Sequence, residues 1–424
     1  MSTIAIIGAG LSGLALALAL HQQNIPCTLY ESRSAPLNIG GAIMLSPNAL
    51  RILDQLGVYA RILPSGYTFS HLYFRTSDDH PLDSYEFGSI PKYNYPGVRI
   101  YRHILIEELT AMVHEANIPI HYHKKFSRVL NESDTSVTWE FADGTTASAA
   151  ILVGADGIHS TVRKYLYPDL EPQFTNAVGV TAAIPTSQLA LPPSLPSEEE
   201  EEKTYPLPVT ILNPTHGAFV IAPQHPTGSE CLIGRQKHSP SLTRQQWTSL
   251  LTDESKSWCL DFLRDNATSY PAIVQRAVSS ISPESVNLWP FYIVPRLESW
   301  CSDHARVVVL GDAAHAIPPS AGQGVNQGVE DVFTFACVVS RCGFGGDGDE
   351  GKLQKGLKVW QKGRQARVDR VVELNGQINR RRMPKQPGEG SEGMEEGMEP
   401  FELEWLYQPD FREMVEGWLG AEGL

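Results

Sequence analysis

The chain has 424 residues, 42% of them hydrophobic and 19% charged, with 35 Gly, 30 Pro and a formal net charge of -14. That composition excludes wholesale disorder, collagen and coiled coil, and the length suits one elaborate two-domain enzyme or about two to three domains. So acidic a chain repels phosphate backbones and anionic lipid, so neither nucleic acid nor a membrane surface is expected as its main partner.

Residues 3–7 form an apolar, β-branched run, followed by a glycine-rich turn at 8–13 and an Ala/Leu helix to about Gln23. Pro26 breaks that helix, and residues 27–31 read as a second strand, which is the βαβ opening of a parallel sheet. A helix is expected from Pro47 to Leu56, ended by Gly57, and another over 103–116. Between them, residues 67–101 are aromatic and Pro-rich, with short extended pieces. Strands follow at 136–141 and 149–153, around the turn Asp143-Gly144. Residues 176–294 hold short strands between Pro and Gly turns and read as a mostly antiparallel sheet. Within them the run Glu198 to Glu202 reads as a solvated loop. Residues 306–310 form another buried-type strand, followed by a loop over 311–328 and a helix to about Ser340. Residues 350–383 read as helical and end on Arg380, Arg381 and Arg382. Residues 386–400 read as a flexible linker, and 401–419 as a short amphipathic tail that could pack on the body or on a partner subunit.

The six cysteines lack C-x-x-C spacing and read as reduced thiols. The N-terminus shows no basic n-region, and its longest apolar stretch, 14–20, is too short to span a bilayer, which points to the cytoplasm. No metal site is expected. His121 and His123 share one strand face but lack companion ligands.

Gly8-Ala9-Gly10-Leu11-Ser12-Gly13 fits G-x-G-x-x-G between a strand and a helix. Gly8 permits the tight turn, Gly10 lets a pyrophosphate approach the backbone, and Gly13 allows close helix packing. The helix N-terminus offers unpaired N–H groups and about half a positive charge. Glu31 ends the second strand, where it can accept hydrogen bonds from ribose hydroxyls and would repel a 2′-phosphate, so FAD or NAD fits better than NADP. Gly343 to Gly348 matches the same pattern but follows a helix and runs into acidic residues, so it reads as a loop.

Two further clusters each follow a hydrophobic strand. One is Gly154-Ala155-Asp156-Gly157, running on to Arg163; the other is Gly311-Asp312-Ala313-Ala314-His315, running on through Pro318, Pro319 and the glycines at 322 and 324 to Asn326. Ligands in open α/β sheets sit beyond the carboxyl ends of the strands, so both Asp residues are expected to face the crevice of Gly10. The Gly-rich run Gly322 to Gly324 and the start of the next helix could present amides to an anionic ring edge.

These clusters together, with Arg102, Leu105 and Leu109 in Arg-x-x-Leu-x-x-x-Leu, resemble the single-component FAD-dependent aromatic hydroxylases, such as para-hydroxybenzoate hydroxylase, salicylate hydroxylase and kynurenine monooxygenase. The resemblance covers about residues 1–380 and implies an α/β fold. In it, a Rossmann-like FAD-binding domain of the glutathione-reductase type (1–70, 100–175 and 295–345) carries an inserted, mostly antiparallel substrate-binding sheet (71–99 and 176–294). C-terminal helices (346–385) and an acidic linker with a short tail (386–424) follow. It implies FAD contacts from Gly8, Gly10, Leu11, Ser12 and Gly13. Glu31 would bind the adenosine ribose, Gly41 and Ala42 would lie along the flavin, and Arg102 would sit near the pyrophosphate. Asp156 and Gly157 would serve FAD and NAD(P)H, with Arg163 anchoring their loop. Asp312 would hold the ribityl chain, and Gly322, Gly324, Val325 and Asn326 would reach the flavin edge.

The implied reaction is hydroxylation or epoxidation of an aromatic or other electron-rich small molecule, using NADPH or NADH and O2 through a flavin C4a-hydroperoxide. The alternatives are a flavin oxidase or dehydrogenase without external nicotinamide, or a catalytically silent flavoprotein. The flavin carries the hard step, so no catalytic triad is required; His315 and Pro319 are the candidate protein groups beside it, and a supporting hydrogen bond is the expected role of His315. Phe219, Trp289, Phe291 and Tyr292 are candidate pocket walls. Arg364, Arg367 and Arg370 recur every third residue and read as a solvated positive face that could also dock NADPH phosphate. No Arg or His stands out to grip a carboxylate, so salicylate-like acids and neutral polyketide- or terpenoid-like substrates both fit. A monomer and a homodimer are both compatible with the chain.

Overall fold

A computed structural model of the chain describes residues 3–35, 41–191, 205–239, 253–344, 350–382 and 402–424. The Glu198 to Glu202 run, the 386–400 stretch, Gly40 and most of the second glycine run lie outside them.

Five strands form a wholly parallel sheet in the order Val307–Val309, Ile151–Gly154, Ile4–Ile7, Cys27–Tyr30, Ile120–His121. The three runs IAII, ILVG and VVV are buried at every position, as a sheet covered on both faces requires. The helix Leu11–Gln22 is buried continuously from Leu14 to Leu20, so it is a core helix, not an amphipathic surface one. It lies between the helices Gly324–Arg341 and Arg102–Glu115. Leu105 and Leu109 of the latter fill the same core.

A second sheet has seven strands in the order Asn287–Ile293, Gln173–Pro185, Glu230–His238, Gly217–Pro223, Val209–Asn213, His71–Thr76, Pro81–Glu86. All its pairs are antiparallel except Val209–Asn213 with His71–Thr76. It has its own core around Val180, Ile211, Ile233 and Val274. Phe219 belongs to that core: it is fully buried with its ring 5.9 Å from Tyr270, and it lines neither of the two cavities of the candidate site. Gly97–Tyr101 does not join this sheet. It pairs with Ala42–Leu45 and Tyr67–Phe69 in a three-stranded sheet between the two larger ones.

Three expectations need correction here. The helix after the Gly-Asp cluster begins at Gly324, so Gly328 lies within it and not in a loop. His123 sits at φ +59 beyond the strand Ile120–His121 and shares no strand face with His121, whose ring stacks on Tyr30 at 5.3 Å. Arg364 and Arg367 are buried, not solvated. The tail, for its part, packs on the body: Leu406, Tyr407, Phe411, Val415 and Leu419 are buried. All six cysteines are free and buried. No described helix is long and apolar enough to cross a membrane.

Candidate active site

Gly8, Glu31, Ala155-Asp156 and Asp312 all lie just past the carboxyl ends of strands of the parallel sheet. Gly8 turns at φ +103, and a Cβ there would meet the Ala155 carbonyl at 2.6 Å. A Cβ on Gly13 would sit 1.9 Å from the Gly8 oxygen, so only glycine lets the helix rise this close to its strand. Gly10 is different. A Cβ there meets nothing within 4 Å, because the residue opens into a cavity. Glu31 closes the turn from the side: Oε2 accepts from Ala9 N at 2.9 Å, and Oε1 from Arg33 N at 2.8 Å.

Ser12 and Arg163 bring the distant loops together. The Ser12 side chain is wedged between two glycines: Cβ atoms built on Gly311 and Gly328 would lie 2.8 and 2.7 Å from its Oγ. Arg163, fully buried, donates from Nη1 to Ala313 O and from Nη2 to Ile158 O, both at 2.8 Å. One guanidinium thereby ties the Asp-Gly loop to the Gly-Asp loop, the anchoring expected of it.

Two cavities result. One, of about 480 Å³, runs past Gly8, Gly10, Leu11, Ser12, Glu31, Asp156 and Gly157. The other, of about 690 Å³, is lined by Ala42, Met44, Trp289, Phe291, Tyr292, Ile317, Pro319 and Gly322. Arg102, Ile158, His159, Asp312, Gly324 and Val325 border both, so the two meet along one wall. Asp312 has no hydrogen-bond partner among the described residues and is exposed within the cavities. Gly324 and Val325 open the helix Gly324–Arg341, where backbone N–H groups have no intrahelical acceptor. Gly41 carries its carbonyl to Arg102 N at 3.4 Å.

Two site candidates sit off the cavity surface, and a third, Asp156, turns partly away from it. Asn326 is fully buried; its side chain accepts from Ser46 N and donates to Met44 O and Gly322 O, bracing the loop. His315 is buried and lines neither cavity. It donates through Nε2 to Asp331 Oδ2 at 2.5 Å, so it braces the loop and is out of reach of a reacting atom in either cavity. Asp156 turns Oδ2 back to the amides of Thr161 and Val162 at 2.7 and 3.2 Å, and burial raises its carboxyl pKa. Its first task is therefore the shape of its own loop.

A family model described as "FAD binding domain" matches residues 1–373. The chain belongs to that FAD-binding family. A 3-amino-4-hydroxybenzoate 2-monooxygenase of Streptomyces platensis is 29% identical over 78% of both chains. The hispidin-3-hydroxylase of Neonothopanus nambi is 28% identical over 80% of both. A salicylate hydroxylase substrate complex superposes with a TM-score of 0.74 over 98% of this chain and 97% of its own, at 21% identity. The chain is thus a flavoprotein of the monooxygenase kind, with FAD as its cofactor.

The residues of this member fit FAD. The Gly10 face is open where a phosphate must approach. The helix termini at Leu11 and Gly324 present unsatisfied amides, and the Glu31 carboxylate lines the same trough. Arg102 Nε is buried without a partner in the shared wall. Among the cavity residues that escaped the sequence reading is Arg99, three positions before Arg102, which lines the larger cavity. The available signal was a cation in a strand between two fully buried apolar residues, Val98 and Ile100.

Proposed function

We propose that this FAD-dependent monooxygenase uses NAD(P)H and O2 to place one oxygen atom on an aromatic or other electron-rich small molecule held in the larger cavity. The observation that carries this reading is the wall common to the two cavities. It puts a polar, glycine-lined trough and an apolar, aromatic-lined chamber on either side of Asp312, Gly324 and Val325. Bound FAD supplies the electron transfer from NAD(P)H and the activation of O2.

The chain's own residues then have distinct tasks. Gly10, Leu11 and Ser12 hold the phosphates by backbone N–H groups, and Glu31 accepts from ribose hydroxyls. Asp312 accepts from hydroxyls of the ribityl chain. The amides of Gly324 and Val325 face the ring edge where negative charge gathers. Trp289, Phe291 and Ile317 keep water from the reacting face, which protects the coupled reaction from unproductive loss of reducing power. Pro319 shapes the substrate side.

The test is consumption of NADPH and of NADH by the yellow holoenzyme, with and without phenolic acids and polycyclic phenols. It is coupled to mass spectrometry for a product heavier by one oxygen atom. Substrate-dependent O2 uptake that needs no nicotinamide would identify an oxidase instead.

A further inference from the structure

Met44 stands in the strand Ala42–Leu45, half-buried, and lines the larger cavity but not the glycine-lined trough. No other sulfur-bearing side chain borders either cavity among the described residues. Its methyl group lies against Gly322, where a Cβ would come within 2.6 Å of it, and Gly322 itself turns at φ +64. One amide nitrogen joins the two residues: Asn326 Nδ2 donates to Met44 O at 3.0 Å and to Gly322 O at 2.7 Å. Gly324 and Val325, just beyond it in sequence, form part of the wall shared by both cavities.

A thioether has no proton to lose, so its sulfur is available to an oxidant at any pH. The thiols differ. All six are buried, and burial raises the pKa of each, so they stay protonated and inert toward peroxide. Met44 is therefore the sulfur that meets an oxidant formed in the chamber.

We propose that Met44 is a modification site: in the absence of substrate its thioether takes an oxygen atom from peroxide formed in the chamber, and the sulfoxide displaces Gly322 and loosens the cofactor loop. NAD(P)H, a proton and O2 give NAD(P)+ and H2O2. A sulfur lone pair then attacks one peroxide oxygen; the O–O bond breaks and an S–O bond forms. The departing hydroxide takes the proton from the new S–OH group and leaves as water. Sulfur is oxidised by two electrons and the peroxide is reduced by two. The product carries a polar oxygen on a side chain packed against a glycine that has no room for one more carbon, so Gly322 must move. The bonds from Asn326 carry that shift to the start of the helix Gly324–Arg341. The inference goes beyond the proposed function but rests on it, because the monooxygenase chemistry supplies the peroxide.

The experiment incubates FAD-loaded enzyme with NADPH or NADH in air, without substrate, and with catalase present to destroy peroxide that escapes. Peptide mass spectrometry then reads methionine sulfoxide at Met44, Met112 and Met414. The last two are also half-buried, but they pack on the main core and line neither cavity, so they serve as internal controls. Met44 should be about tenfold more oxidised than either, because its oxidant is made beside it. H2O2 added to the oxidised enzyme without nicotinamide should show no such preference. Released FAD, read by fluorescence, should rise with the sulfoxide. Met44→Leu should slow that release severalfold, each protein being scored against its own starting occupancy. Equal oxidation of the three methionines during turnover, the same preference for Met44 with added H2O2, or FAD loss at one rate in wild type and Met44→Leu each overturns the proposal. NAD(P)H consumption that leaves Met44 unoxidised overturns it too, with the monooxygenase reading intact. A protein that consumes neither nicotinamide overturns that reading and the proposal together.

Discussion

Arg364 donates through Nε to Asp331 Oδ1 at 2.7 Å, with both side chains wholly buried. The other oxygen of Asp331 accepts from Gly311 N at 2.8 Å and from His315, so this pair holds the Gly-Asp loop from behind. Glu330, next to it, is gripped by Arg364 and by two nitrogens of Arg367 at 2.7 and 2.8 Å. The long helix Glu350–Arg382 thus braces the cofactor loop by buried charge, and its Asn375 Oδ1 also accepts from Ala321 N at 2.6 Å.

Removing one cation should expose the cost of that arrangement. Arg364→Met leaves two buried carboxylates short of partners, and breaking a buried ion pair from one side costs about 3–5 kcal/mol. Urea denaturation of the apoprotein should show a loss of that order, and FAD should bind more weakly because Gly311 loses its brace. A stability loss below about 1 kcal/mol would mean the cluster is not under load.

The same cluster sets an acid limit. Burial raises both carboxyls, but the guanidiniums of Arg367 and Arg364 outweigh it for Glu330, and His315 and Arg364 do so for Asp331. Both native pKa values therefore lie below the ordinary 4.5 and 3.8. A depressed carboxylate stabilises the fold above its unfolded pKa, and that contribution drains away as pH falls through the native value. The wild-type thermal midpoint should accordingly fall once pH drops below about 4. The gap to Arg364→Met should narrow over the same window, because the variant's unpaired carboxylates gain from protonation. A gap that stays constant across it would contradict the sign.

Much of the cofactor side was legible in the chain, and the reason is local. Gly8 is set by its own positive φ and Gly13 by the Gly8 carbonyl, both local features, and each Asp cluster follows a strand that announces itself by its β-branched run. What stayed hidden depends on what an element meets. A three-residue period in Arg364, Arg367 and Arg370 specifies a common helix face but not that Glu330 and Asp331, more than 30 positions earlier, will cover it. Arg99 was overlooked for the same reason: only the assembled sheets reveal that its buried Nε and Nη2 find no partner among the described residues. Gly324 and Gly328 read as loop because glycine weakens helices. The approach to Ser12 and Gly311 shows why Gly328 stands there regardless.

The glycine turn allows a paired test. Gly10→Ala meets no atom in the protein, so the apoprotein should melt as the wild type does while its FAD affinity falls, the added methyl standing where the phosphates approach. Gly13→Ala should lower the melting point itself, because its Cβ would overlap the Gly8 carbonyl. Thermal melts of the two apoproteins beside FAD titrations separate the effects. Equal melting points would refute the steric argument.

Asp312→Ala offers the converse case. The carboxylate makes no protein hydrogen bond among the described residues, so the apoprotein should lose no stability. FAD affinity should drop about tenfold or more if its hydroxyls bind there. Full flavin occupancy and turnover in that variant would remove Asp312 from the site.

The tail should matter to the cofactor although it lines neither cavity. Arg367 donates to the carbonyls of Trp405 and Leu406 at 2.8 and 3.3 Å, and Arg370 lies 3.9 Å from the Trp405 ring centre. Gly363 is pressed against Trp418, where a Cβ would come within 2.3 Å of the indole. Ending the chain at residue 401 would remove Phe411, Val415 and Leu419 from the core and strip Arg367 of both carbonyls. Each large apolar side chain contributes about 1.5–3 kcal/mol by burial, so the loss should be several kcal/mol. It should travel through Arg367 and Glu330 to weaken FAD binding as well. Gly363→Ala should move in the same direction by about 1–3 kcal/mol, since the indole must shift. If the shortened protein kept both its midpoint and its flavin, Arg367 would be positioned without the tail, and the route from tail to loop would not exist.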